Sequence, residues 1–218
     1  DGDKDEWQWL PSFVLPRDPA VERAVALAQR YVRVIRDDPS AGFEGYQSSD
    51  AADPESLDNV DLQVEAIWSA LLHEWQLGYI NPPPGYSKDL DSQRLRTPSM
   101  VLDGRAGTCI DLALLFAACL ELIDIYPVVF LLHGHALPGY WRHQSFHTAY
   151  SQARLDNPGP AAAQAQDRHV SSEAQVHAWQ DLGAEAYKEV ASLIRSRRLV
   201  PVETVRLTEH CGFVEAIE

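Results

Sequence analysis

From Cys109 to Ile123 the chain is apolar on nearly every side, through Leu112, Ala113, Leu114, Leu115, Phe116, Ala117, Ala118 and Leu120. A helix that is hydrophobic all round has no face to give to water, so other elements must close around it. This run sets the plan: a buried helix entered through the tight turn Gly107-Thr108, with the remaining elements packed outside it. Tyr126 to Leu132 follows as a β-rich run long enough for a core strand.

The flanking sequence offers amphipathic partners. Asp18-Pro19 has the form of a helix start, an N-cap carboxylate followed by proline in the first turn. Val21, Val25, Ala28, Val32 and Ile35 then make an apolar stripe that stops near Asp37-Asp38-Pro39. A second helix is expected from about Val60 to Trp75, with Val64, Ile67, Trp68, Leu71 and Leu72 facing inward. Asn81-Pro82-Pro83-Pro84-Gly85 excludes helix interior and central strand alike. Leu102-Asp103-Gly104 reads as a turn and Pro158 to Ala165 as a surface excursion. Ala184 to Arg195 reads as a helix, and Leu199 to Val205 as a closing strand with Pro201 at its edge or start. Residues 1–78 are expected to form a helical segment packed on a core of residues 79–218, as one unit.

Composition narrows the function classes. At 218 residues and 45% hydrophobic, the chain can build a true core. A formal charge of −14 argues against nucleic-acid binding, which needs clustered Lys and Arg. The longest apolar run is too short for a bilayer span. The acidic N-terminus lacks the basic-then-apolar order of a signal peptide, and the missing initial Met suggests excision from a larger protein. Cys109, Cys119 and Cys211 make neither a disulfide framework nor a Cys-x-x-Cys pair, so reduced thiols in the cytoplasm are expected.

Three places carry chemistry. Cys109 heads the buried helix, where unpaired N–H groups and the positive end of the helix dipole favour a thiolate and hold an oxyanion. The competing reading is one more small buried hydrophobe. Cys119, mid-helix, reads as core, and Cys211 as a weak alternative nucleophile. His133-Gly134-His135 ends the apolar strand, where alternation puts both rings on one face and either is a candidate general base. Glu203, in the late strand, is a candidate to orient that histidine; the alternative is a solvent-facing edge glutamate. Asp111 reads as a helix cap or buried hydrogen-bond partner. His143 and His147 fall in a polar stretch and read as solvated. The spacing matches no zinc motif, and neither metal nor cofactor is expected.

Gly107-Thr108-Cys109-Ile110-Asp111-Leu112-Ala113, followed by Gly134-His135-Ala136, resembles the transglutaminase-like superfamily, most closely its uncharacterised bacterial members. Gly45-Tyr46-Gln47, Ala66-Ile67-Trp68, Tyr79-Ile80-Asn81-Pro82-Pro83, Gln93-Arg94-Leu95-Arg96-Thr97-Pro98 and Leu199 to Glu203 are similar to further segments of that pattern. The resemblance implies an α+β, papain-like core with the Cys helix packed on an antiparallel sheet. It implies Cys109 as nucleophile, His135 rather than His133 as its partner, and Glu203 as third member, where many members have Asp. Gln93, Thr108 and His133 are candidates for oxyanion or substrate contacts.

The expected activity is acyl transfer through a thioester, with water giving a peptidase or amide hydrolase. Transglutaminase or deamidase action on protein glutamine, and a non-catalytic binding module, are the alternatives. The expected partners are a protein or peptide substrate and other domains of a parent protein, with no membrane or nucleic acid. Loops around Pro82 to Leu90 and His143 to Asp167 would set specificity.

Overall fold

The computed structural model describes residues 7–81, 95–156 and 184–218 as a mixed helix and sheet fold. A 3-10 segment, Trp7–Phe13, leads into α1 (Pro19–Ile35), and Asp18 caps α1 by accepting the Ala20 N–H at 2.8 Å. The same carboxylate accepts the Ser99 N–H at 3.3 Å and its hydroxyl, so it also anchors the start of α3 (Pro98–Gly104). Between them lies α2 (Pro54–Trp75). It starts earlier than the apolar spacing suggests, because Asp53 caps it by accepting the Glu55 N–H and Pro54 sits in its first turn. The expected turn at Leu102-Asp103-Gly104 is the last turn of α3, which ends on Arg105 in the left-handed region (φ 50°).

Two very short strands, β1 (Gly78–Tyr79) and β2 (Ala106–Gly107), pair in parallel and set Tyr79 opposite Gly107. The apolar run is α4 (Cys109–Leu122), buried from Cys109 through Leu120. One side, with Leu112, Leu115, Phe116 and Cys119, joins a core with Ala24 and Ala28 of α1 and Val64, Ile67 and Trp68 of α2. Each large apolar side chain fully buried here contributes roughly 1.5–3 kcal/mol. The other side, with Cys109, Ile110 and Leu114, packs against Ala136, Val129, Leu131 and Val205.

Those last residues belong to or follow an antiparallel sheet. β3 (Pro127–Leu132) and β4 (His135–Trp141) are joined by a turn of His133 and Gly134, with Gly134 at φ +73°. β5 (Leu199–Pro201) pairs with the far edge of β4, making β4 the central strand. Gly139 is required there, since a Cβ would lie 2.7 Å from the Val200 carbonyl oxygen and 2.8 Å from the Phe130 ring. The closing strand stops sooner than expected. Past Pro201 the Glu203 carboxylate accepts the Val205 N–H at 3.1 Å and bends the chain into a 3-10 turn, Thr204–Glu209.

α5 (Gln144–Asp156) occupies the stretch after β4, and α6 (Ala184–Arg195) precedes β5. The short α7 (Phe213–Ile217) follows the turn and buries Phe213 and Ala216. Tyr140 of β4, Val200 and Val202 share the cluster that contains α1, α2 and α4. Residues on both sides of position 78 therefore line one core. Among the described residues, no helix is long and apolar enough to cross a membrane.

Candidate active site

Cys109 is the first residue of α4 and is 8% exposed. Thr108 caps the helix, its hydroxyl accepting the Asp111 N–H at 3.4 Å. The Asp111 carboxylate answers by accepting the Thr108 N–H and hydroxyl, both at 3.0 Å. This reciprocal capping box fixes the turn that aims the thiol. Arg96 completes it by donating its backbone N–H and its guanidinium to Asp111, each at 2.9 Å. Asp111 is thus a cap and a buried hydrogen-bond partner. Thr108 thus gives both its hydroxyl and its N–H to Asp111.

The second half of the site comes from the sheet. His135 opens β4, and its Nε2 lies 2.7 Å from Oε2 of Glu203. The other oxygen of Glu203 accepts the Val205 N–H. Backbone bonds hold the acid from both sides: Val202 N–H donates to the Pro138 carbonyl and Glu203 N–H to the Ala216 carbonyl, each at 2.8 Å. A carboxylate only accepts, so Nε2 carries the hydrogen of this bond. Both side chains are about one-third exposed, at 31% and 34%, leaving the pair open to a reactant.

The halves meet through packing. Cys109 and Ala136, the neighbour of His135, lie in one apolar cluster, and Val205, two residues past Glu203, packs against it. Tyr79 lies beside them: its strand pairs with the segment just before Cys109 and sets Tyr79 opposite Gly107. Burial first, and then the adjoining Cys109, raise the phenol above its ordinary value; Glu203 adds to the same effect. Sequence reasoning quoted Tyr79 without a role. The strands that place it are two residues each, too short to leave a periodic signal.

The remaining candidates separate cleanly. His133 is exposed in the hairpin turn rather than on a strand, so it shares no strand face with His135. Gln93 and residues 82–90 lie outside the described residues. Cys119 is fully buried, and burial pushes its thiol up to about 12, which leaves it unreactive near neutrality. Cys211 is partly exposed beside Glu209. His147 is not simply solvated: its ring packs 4.5 Å from Tyr126 and 5.8 Å from Trp141 by centroids. His143 hydrogen-bonds Ser145 and the Ser49 carbonyl.

Comparison with known protein families, with curated proteins and with solved structures finds no match. The chemistry of the site is therefore argued from its own residues: a thiol at a helix start and a carboxylate-bound imidazole in the adjoining strand.

Proposed function

We propose that this chain is a cysteine-dependent acyl-transfer enzyme with a papain-like, transglutaminase-like core, working as a peptidase or amide hydrolase. The observation that carries the reading is the 2.7 Å His135–Glu203 hydrogen bond, set beside the helix start that bears Cys109. A thiol alone at a helix start has many structural explanations. An imidazole held by a carboxylate on the adjoining strand is the partner that nucleophilic thiol chemistry requires.

In this mechanism Glu203 holds Nε2–H and so presents Nδ1 of His135 as the base that takes the Cys109 proton. The thiolate attacks the amide carbonyl, forming a C–S bond. Backbone N–H groups at the start of α4 stabilise the resulting oxyanion. The imidazolium returns its proton to the departing amine as the C–N bond breaks, leaving a thioester. Water, deprotonated by the same ring, adds to the thioester; the C–S bond breaks and the thiol is regenerated with release of the carboxylic acid. An amine in place of water would give a new amide.

The test is hydrolysis of a mixed peptide library by the wild-type protein and by Cys109→Ala, His135→Ala and Glu203→Ala, read by mass spectrometry with a primary amine present or absent. Cleavage that disappears in Cys109→Ala and His135→Ala is expected, together with free acid as the main product. Undiminished cleavage by Cys109→Ala would sink the reading. Amine adducts in place of free acid would convert it to transamidation.

A further inference from the structure

A capping box asks its carboxylate for one bond, back to the N–H of the cap residue. Asp111 makes that bond to Thr108 through Oδ2, yet its side chain is 0% exposed and is held from a second direction. Oδ1 accepts the backbone N–H of Arg96, and Oδ2 accepts the guanidinium of the same residue, each at 2.9 Å. The carboxylate therefore belongs to two pieces of chain, the Cys109 helix and the segment that runs into α3. That segment adjoins the thiol. Leu95 packs against the cluster of Cys109, Ile110 and Ala136, and Thr97 caps α3 by accepting the Met100 N–H at 3.3 Å.

The first N–H groups of a helix have no intrahelical partner. The box takes those of Thr108 and Asp111, which leaves those of Cys109 and Ile110 at the turn where a carbonyl would be attacked. Their direction is set by the turn, and the turn by the Asp111 carboxylate. A buried carboxylate stripped of its cation is in a costly state, and it relaxes by turning toward water and out of the box. We propose that Arg96 is a positioning residue for the oxyanion donors at the start of α4, acting through Asp111. It holds the Cys109 and Ile110 N–H groups where the developing oxyanion needs them. A single guanidinium nitrogen makes the contact, so the site asks for the charge more than for the forked shape.

Arg96 is the member of the pair that can be changed with least harm to packing. Its side chain is 33% exposed, whereas Asp111 is enclosed. The backbone N–H of residue 96 still reaches Oδ1 whatever the side chain. Cys109, His135 and Glu203 keep their own groups in every variant at this position.

The proposal rests on the acyl-transfer reading and deepens it, and its test compares two reactions of one sulfur. p-Nitrophenyl acetate acylates a thiol through an oxyanion: the thiolate adds to the ester carbonyl, and p-nitrophenolate leaves as the thioester forms. Iodoacetamide alkylates the same thiolate with loss of iodide and forms no oxyanion. Both rates are measured in a Cys211→Ser background for Arg96, Arg96→Lys, Arg96→Gln and Arg96→Met, with Cys109→Ala subtracted. The expected result is acylation about tenfold slower in Arg96→Gln and Arg96→Met, restored to within about threefold in Arg96→Lys. Alkylation should stay within about twofold throughout. Acylation indifferent to residue 96 overturns the proposal. So does a parallel fall in both rates, which makes Arg96 a support of the fold, or a lysine variant as slow as methionine. The expected pattern in a protein that cleaves no peptide would keep Arg96 in its role and remove the peptidase reading. Peptide cleavage with acylation unmoved would keep that reading and remove the role.

Discussion

Glu203 gives its two oxygens to different tasks, one to the His135 ring and one to the Val205 N–H. The second bond holds the carboxylate still, so the first can fix the ring. Glu203→Gln keeps the shape but offers the imidazole an amide in place of a charge, and the neutral amide does not stabilise the imidazolium. The expected loss in kcat is at least about 10²-fold with little change in unfolding temperature, checked by peptide hydrolysis beside thermal unfolding. The three thiols should also separate by reactivity. Native protein treated with iodoacetamide near neutral pH is expected to label Cys109 and Cys211 while Cys119 stays unmodified until denaturant is added, because burial pushes the Cys119 thiol up to about 12. Labelling of Cys119 in the native state would contradict that burial.

At this scale the sequence was informative about where Cys109 sits and poor about its neighbours. Cys109 was legible because a helix apolar all round, opened by Gly-Thr, is an unusual local pattern. The His135–Glu203 bond spans 68 residues of sequence, and no local period reports a contact of that range. His133 was set on a strand because the apolar run continues up to it. The hairpin turn falls there instead, and Pro138-Gly139 disguise the strand that follows. The place of Tyr79 beside the start of α4 was invisible because the register of a two-residue parallel pair depends on where the rest of the chain puts it.

Among the elements, the carboxylate of Asp18 does the most for its size, capping α1 and anchoring the first residues of α3. Burial pushes this group up. The hydrogen bonds from the Ser99 side chain, the Ala20 N–H and the Ser99 N–H, with Arg23 nearby, together bring it below its ordinary 3.8. A depressed carboxylate contributes stability that is complete above 3.8 and is lost as pH falls through the lower folded value. The stability advantage of wild type over Asp18→Asn should therefore shrink on acidification, as read from urea midpoints across a pH series. An advantage that grows as pH falls would reverse the sign of this argument. In the sheet, Gly139→Ala forces a methyl against the Val200 carbonyl and the Phe130 ring. A destabilisation of about 1–3 kcal/mol is expected, measured by the same urea titration. Capping was readable at Asp18-Pro19 because its signal is local. The close approach at Gly139 was not, because it depends on strands that come together from residues 130 and 200.

Over the whole molecule, helices and sheet are tied by polar as well as apolar contacts. Tyr140 hydroxyl donates to Asp61 at 2.7 Å, and Arg142 spans Asp61 and Asp58 with bonds of 2.6–3.0 Å, so α2 is bolted to the end of β4. Burial holds the Asp61 carboxyl above its ordinary value despite the opposing pull of Arg142 and Tyr140. Breaking this tie with Arg142→Met leaves Asp61 buried without its cation. A loss of about 3 kcal/mol or more is expected by chemical unfolding, with Asp61→Asn in the same background recovering part of it.

The backbone bonds around Glu203 have a further meaning when the order of synthesis is considered. A chain emerging from its N-terminus carries Cys109 and His135 well before Glu203. That acid is held in turn by the carbonyl of Ala216, later still. Until that last turn of helix docks, the backbone at Glu203 lacks its bond to Ala216. On the acyl-transfer reading, the nascent protein would thus carry its thiol for part of its assembly before the acid that orients the base is fully held.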